Sequence, residues 1–216
     1  MSRGSSGHFA GGNGGYFRHN DRTTDTVNSI FNDELNEYSC SADEAYKIYG
    51  EELRARASSY FKRTNQKIQK NTITHRSLII NLEKHHTLKD LETIKKHLEK
   101  ELDTKILQIA IHRDEGHINN GKNIKNYHAH IEMMGIDSFG ISLAQHQNKS
   151  KSKTKVEQTR TSRLDTNFYK KFQTFLANTL EMKRGKENSK AKRLDTYEYK
   201  AHKEKENINL SQNKNQ

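Results

Sequence analysis

Three of the chain's twelve histidines, His112, His128 and His130, lie in two stretches, 105–112 and 125–134, whose residue types suit β-strands. Imidazole is a ready ligand for transition-metal ions and titrates close to neutral pH, so spacing decides what the three can do together. Residues two apart on a strand share a face, which projects His128 and His130 to one side and turns Ala129 to the other. Between the stretches, Asn119-Asn120-Gly121 is a hairpin signal. A three-residue loop 119–121, with Gly121 left-handed, pairs Ile118 with Lys122 and sets His112 opposite His128, with Cβ atoms about 4.5–5.5 Å apart. A two-residue loop Asn120-Gly121 shifts the register by one and turns His112 to the wrong face. Convergence therefore requires the odd loop or a bulge. Three imidazoles on one divalent cation would leave coordination positions open, as catalytic sites do and closed structural sites do not. Such nitrogen donors suit Mn, Zn, Ni and Co alike, whereas Mg prefers oxygen.

Two carboxylates follow the first histidine. Strand alternation puts Asp114 on the face of His112 and Glu115 on the other, unless the strand ends or bulges after His112. His117 falls in the hairpin, while His85, His86 and His97 lie on or beside a helix and are expected at the surface.

The elements that must position these groups can be read from periodicity. Ser41 and Glu44 form a capping box ahead of apolar positions every three or four residues, predicting a helix over 42–68. Residues 73–82 read as a buried strand, 87–102 as a helix with Thr87 as N-cap, and 165–182 as an amphipathic helix through Phe168, Phe172, Phe175, Leu176 and Leu180. This order implies an α+β domain with a largely antiparallel β-sheet covered by helices. The 216 residues suffice for one such domain and a tail. Residues 1–15 hold six of the twelve glycines and almost nothing to bury, so 1–10 read as a flexible leader. Residues 186–216 read as a charged helical or disordered extension, toward further chain beyond Gln216.

Charge points to a polyanion. Lys and Arg outnumber Asp and Glu by 38 to 27, a formal charge of +11, and mean hydropathy is −1.11. Lys149, Lys151, Lys153, Lys155, Arg160 and Arg163 follow the hairpin with a single acid among them, and would track a phosphate backbone without reading sequence. Arg54, Arg56, Lys62, Arg63, Lys67 and Lys70 offer a second positive face. No run approaches the about eighteen apolar residues of a membrane helix, and no apolar region follows Met1. Cys40, alone, permits neither an internal disulfide nor a CxxC zinc site. Cytoplasm is the expected location.

Taken in order, His112-Arg113-Asp114-Glu115 and then Tyr127-His128-Ala129-His130-Ile131 resemble the H-x-D-E … H-x-H signature of HUH endonucleases, specifically relaxases of the Mob/Pre (MOBV) type that mobilise plasmids. Upstream, Gly14-Gly15-Tyr16-Phe17-Arg18-His19-Asn20-Asp21-Arg22 resembles that family's first motif, a glycine-containing approach to H-N-x-R. The resemblance covers residues 11–185, as one catalytic domain. One difference is that twelve residues, 116–127, separate Glu115 from the H-x-H, where the family form has three including a proline.

The resemblance implies a metal-dependent DNA relaxase that nicks one strand at a plasmid or mobile-element transfer origin by transesterification, forming a covalent protein–5′-DNA intermediate for conjugative mobilisation. It implies that His19 is the nucleophile, with Tyr16 as the alternative because most HUH enzymes use tyrosine. Neutral imidazole is competent for this near pH 7, and Arg22 would neutralise charge developing on the phosphate. By the same resemblance Glu115 positions the nucleophile or aids the metal, with Asp114 behind it, and the cation held by His112, His128 and His130 is Mn2+ or Mg2+. Arg18 joins the basic segment as a DNA contact. Partners would be single-stranded or supercoiled DNA at a transfer origin, and other mobilisation or conjugation proteins. A rolling-circle replication initiator or transposase of the HUH class, and a non-catalytic basic nucleic-acid-binding module, are the alternative readings.

Overall fold

The structure, a computed structural model, describes residues 4–11, 16–24, 26, 29–31, 35–119, 121–144 and 163–187. In chain order they form β1 (Gly4–Ser5), β2 (Gly7–Gly11), α1 (Tyr16–Asn20), β3 (Glu37–Tyr38), α2 (Ala42–Thr64), β4 (His75–Asn81) and α3 (Leu88–Leu102), followed by β5 (Ile106–His112), β6 (Gly116–Asn119), β7 (Lys122–Lys125), β8 (His128–Met134), α4 (Thr166–Thr179) and β9 (Lys183–Arg184). Five strands pair in the order β2-β4-β8-β5-β3, antiparallel throughout, as expected for the α+β class. The chain divides between Gly185 and Lys186 into two units, and this sheet belongs to the first.

Alternation along the strands gives the sheet two unlike faces. On one, Leu78, Ile80, Ile109, Ile111, Ala129, Ile131 and Met133 pack with Leu91, Ile94 and Leu98 of α3 and Phe172 and Leu176 of α4 in an apolar core. The other carries His75, Ser77, Gln108, His112, His128, His130 and Glu132, all buried. A smaller apolar cluster of Phe17 from α1, Ala42 and Ala45 from α2, Leu107, Met134 and Ile136 closes one end of that face. The polar face is where chemistry can be placed.

Caps set the helix ends. The Ser41 hydroxyl accepts from the Glu44 N–H, and the Ser41 N–H donates to the Glu44 carboxylate at 2.9 Å. The helix predicted to reach residue 68 stops at Thr64, because Asn65 takes the left-handed conformation (φ 53°). At the start of α3 the Thr87 N–H donates to Asp90 at 2.8 Å, and at the start of α4 Asp165 accepts from the Phe168 N–H at 2.7 Å.

Three expectations change. Gly7–Gly11, within the leader read as flexible, is an edge strand: Phe9 is buried against Phe168, Tyr169 and Phe172, and Gly7 lies so close to α4 that a Cβ would sit 2.8 Å from Leu176 Cδ1. One aromatic anchor replaces the periodicity that glycine erases. Arg56 is buried rather than part of a positive face, donating to Glu52 and to the carbonyls of Asp103 and Ile136. His86, expected at the surface, is buried between the Glu83 N–H and the Leu180 carbonyl.

The core makes a direct prediction. Phe172 is fully buried and its ring lies 5.7 Å from that of Phe9 and 5.5 Å from that of Phe168. Phe172→Ala should destabilise the chain by about 3–5 kcal/mol, measured by urea unfolding.

Candidate metal and nucleophile site

The site is made by one extra residue. In the main sheet His112 pairs with His128 and Ala110 with His130, the register that puts all three histidines on one face. At the hairpin tip, however, Asn119 pairs with Lys122 and Gly116 with Lys125, so the loop has two residues and not the expected three. The two ladders are out of step by one. Between them residues 113–115 face 126–127, a bulge that restores the register the two-residue loop would have lost. The bulge is pinned: the Asn126 N–H donates to the Glu115 carbonyl at 2.8 Å, and the Arg113 N–H to Asn36 Oδ1 at 2.7 Å. Only glycine fits after it, since a Cβ on Gly116 would lie 2.2 Å from the Ile124 carbonyl oxygen.

The histidine rings converge. Centroids lie 5.2 Å apart for His112 and His128, and 5.0 Å apart for His112 and His130 and for His128 and His130. Hydrogen bonds fix two tautomers. His112 Nε2 donates to the Asn20 carbonyl at 3.2 Å and His128 Nδ1 to the Asn126 carbonyl at 2.8 Å, so that the other nitrogen of each ring, His112 Nδ1 and His128 Nε2, is the one left to bind an ion. Those nitrogens face like partners: His112 Nδ1 is 3.3 Å from Glu115 Oε1, and His128 Nε2 is 3.1 Å from His130 Nε2 and 3.7 Å from Glu115 Oε2. Of these atoms His112 Nδ1, whose proton sits on Nε2, and the Glu115 carboxylate are both acceptors, a pairing that suits a cation.

Electrostatics favour a cation over protons. Burial lowers the pKa of His128, and burial with the neighbouring His128 and His112 holds His130 well below its ordinary value. Burial alone would raise Glu115, but His112, His128 and Arg22 outweigh it and keep its carboxyl below the usual range. Neutral imidazoles around one carboxylate form a donor set for a divalent metal. Two overlapping groups, His19 with His112 and His130, and Glu115 with His112 and His128, have donor atoms within 4.8 Å of one another. The predicted trio is divided between them: His112 belongs to both groups, His130 to the one with His19 and His128 to the one with Glu115.

Alternation would have given Asp114 the face of His112. Because the strand ends at His112, Glu115 swings to the histidines and Asp114 turns behind them. There Asp114 accepts from Arg22 Nε at 2.9 Å and Nη2 at 2.7 Å, and from the Ser29 hydroxyl. Arg22 also gives Nη1 protons to the His19 carbonyl (2.9 Å) and Thr26 Oγ1 (3.2 Å), and the second Nη2 proton to Glu115 (2.9 Å). A guanidinium has five N–H donors, and all five are used. Arg22 therefore ties the His19 turn to Asp114 and Glu115, with every N–H engaged within the protein.

His19 borders the cluster from α1. Its Nδ1 lies 3.1 Å from Thr26 Oγ1, its Nε2 3.4 Å from Glu115 Oε1, and its ring 5.0 Å from His112 and 5.2 Å from His130. Burial, with His112 beside it, lowers its pKa to about 4, so the imidazole is neutral at physiological pH. Tyr16, the alternative, stacks beside His130 at 6.5 Å.

Sequence reasoning missed the layer underneath. Glu132, fully buried, is 2.8 Å from His75 Nε2 and accepts from the Ser77 hydroxyl at 2.8 Å and from Asn20 Nδ2 at 3.4 Å, while Asn20 also donates to Gln108 at 3.0 Å. The signal was present: Glu132 continues the alternation of His128 and His130. Phe17, with its ring 4.9 Å from both Tyr46 and His75, holds α1 onto this layer.

The predicted DNA contacts are less uniform. Arg18 is exposed on α1. Arg163 is paired with Asp137 (3.2 Å) and lies 3.6 Å from Asp103, residues that follow β8 and precede β5, at the opposite end of the sheet from the histidines. Its guanidinium is thus engaged with two acids there. Lys149, Lys151, Lys153, Lys155 and Arg160 lie outside the described residues. Among the described residues no helix is long and apolar enough to cross a membrane.

No family model matches the chain, and no curated protein matches it. Solved structures do. The Mn-bound MobM relaxase domain (MOBV; Mob_Pre) in complex with a 22-nucleotide oriT DNA of plasmid pMV158 superposes with a TM-score of 0.61 at 17% identity, over 93% of this chain and 100% of that one. Its 23-nucleotide complex gives 0.60 at 19% identity, over 93% and 98%. The fold that carries the histidine cluster is that of the MOBV relaxase domain, in agreement with the resemblance its motifs carry.

Proposed function

We propose that this chain is a metal-dependent relaxase that nicks one strand of DNA at the transfer origin of a plasmid or mobile element by transesterification, and holds the 5′ end covalently for mobilisation. The observation that carries the reading is the convergence of three buried histidines and Glu115 with a fourth, half-buried histidine on α1. The match to a domain solved with oriT DNA and Mn supports it.

His112, His128 and His130 would hold the cation, Mn2+ or Mg2+. Bound there, the ion supplies positive charge that polarises the scissile phosphate. His19, neutral and with a lone pair to offer, attacks phosphorus; the P–O3′ bond breaks, a P–N bond forms, and the 3′ oxygen leaves as the free end of the nicked strand. Glu115 orients the His19 imidazole, and Arg22 and Asp114 hold Glu115 and the His19 turn in place. The bond energy kept in the phosphoramidate allows the strand to be rejoined. Arg18, Lys149, Lys151, Lys153, Lys155 and Arg160 would track phosphates of single-stranded or supercoiled DNA, with other mobilisation proteins as further partners.

Three measurements test this. With labelled single-stranded origin DNA and Mn2+, a denaturing gel should show a covalent adduct that EDTA abolishes and His128→Ala lacks while keeping wild-type circular dichroism. DNA binding without any adduct would instead support the non-catalytic module.

His19→Ala should lose the adduct and Tyr16→Phe keep it, and the adduct should be labile in acid and resistant in base, as a P–N bond is. An acid-stable adduct that disappears in Tyr16→Phe would assign the nucleophile to tyrosine.

Arg22→Lys keeps the charge and loses the five-donor fork. It should slow adduct formation by about 10–100-fold, the range for residues that orient a metal site, at little cost in DNA affinity.

A further inference from the structure

Between Glu115 and His128 the chain leaves the main sheet as the β6–β7 hairpin. Residues 116–127 hold Lys122, Lys125, His117, four asparagines and no acid. Ile118 is 64% exposed and Ile124 37%. Pairing puts Ile118 with Asn123 and Lys125 on one face, and Ile124 with His117 and Lys122 on the other. Each face therefore couples an exposed aliphatic side chain to a cation.

The hairpin is anchored at its base. The Lys125 ammonium lies 5.2 Å from the centre of the Phe31 ring, and Gly116 is so close to Phe31 that a Cβ would stand 2.8 Å from its Cε2. Phe31 in turn donates its N–H to the Asp114 carbonyl at 3.0 Å. The base is thus fixed to the residues that hold Arg22, while the tip turns through Gly121 at φ 72°.

Isoleucines this exposed on a short ribbon stabilise no core, and their setting of lysines without acids matches one occupant of this site, an unpaired nucleic-acid strand. Such a strand offers apolar base faces alternating with phosphates, whereas a duplex hides the base faces. We infer that the β6–β7 hairpin is a contact surface for the single strand flanking the scissile phosphate, with Ile118 and Ile124 against bases and Lys122 and Lys125 on phosphates. This rests on the DNA reading above, and adds the element that grips the strand beside the cut.

The test uses the full chain and three fluorescein-labelled probes: a mixed-sequence single strand, the same strand with abasic sites throughout, and its duplex. Ile118→Ser with Ile124→Ser should weaken binding to the mixed strand by about fivefold, the low end of base-stacking contributions, and leave the abasic strand unaffected. Lys122→Ala with Lys125→Ala should flatten log K against log salt by about 1.4 on both single strands, at about 0.7 per phosphate. Ile118, Lys122 and Ile124 are exposed and Lys125 is half-buried against Phe31, and circular dichroism checks that the variants fold. Equal losses on mixed and abasic strands, an unchanged salt slope, or a larger loss on the duplex would overturn the assignment. Wild-type protein that binds no probe would overturn the DNA reading with it, whereas wild-type binding with unaffected variants would overturn the hairpin alone.

Discussion

The structure depends on a register mismatch. A two-residue turn between Asn119 and Lys122 is the tightest way to reverse a strand pair, and carried back along a regular ladder it would send His112 to the apolar face among the leucines of α3. The three residues 113–115, set against two on the other strand, undo that shift. The same bulge breaks strand alternation, which is why two adjacent carboxylates take opposite jobs, Glu115 among the histidines and Asp114 behind them on Arg22. One irregularity thus decides both which side chains meet His112 and how their neighbours are oriented.

The price is a buried polar layer, which the fold satisfies in large part while leaving Asn20 Oδ1, His112 Nδ1 and His130 Nδ1 without a hydrogen-bond partner. Glu132, with no exposure to water, is met by His75, Ser77 and Asn20. The carbonyl of Asn20 fixes the tautomer of His112, and its side chain bonds to Gln108. The helix that presents His19 is therefore hydrogen-bonded to the strand that presents His112, so that the two histidines are held by one network. Arg22, with every donor spent, acts as a rigid tie between them. Preorganisation of this kind removes the reorganisation that a site built from mobile loops would need at the moment of reaction.

Much of this was legible from the sequence. The capping box at Ser41, the histidine spacing on β8 and the apolar periodicity of α3 are local signals, and the elements formed as those signals imply. The failures share one cause: each depended on a partner distant in sequence. Nothing near Arg22 shows that Asp114, ninety-two positions on, saturates it. Nothing near Arg163 or Arg56 announces Asp137 or the carbonyl of Ile136. The strand Gly7–Gly11 has no pattern of its own because glycine has no side chain to show one, and it is held by the fit of Phe9 and Gly7 against α4. The bulge lay between these cases, since the geometry required it but could not place it.

The central claim is that the bulge gathers His112, His128 and His130 around one divalent cation. Pulsed electron paramagnetic resonance of the full chain with a single equivalent of Mn2+ reads this directly, because nitrogen nuclei bound to the ion modulate its signal. Nitrogen couplings from three imidazoles and one tightly held ion per chain are expected, with the coupling reduced when any one of the three is replaced by alanine. A spectrum of hydrated Mn2+ without nitrogen coupling, or one unchanged by those replacements, would contradict it.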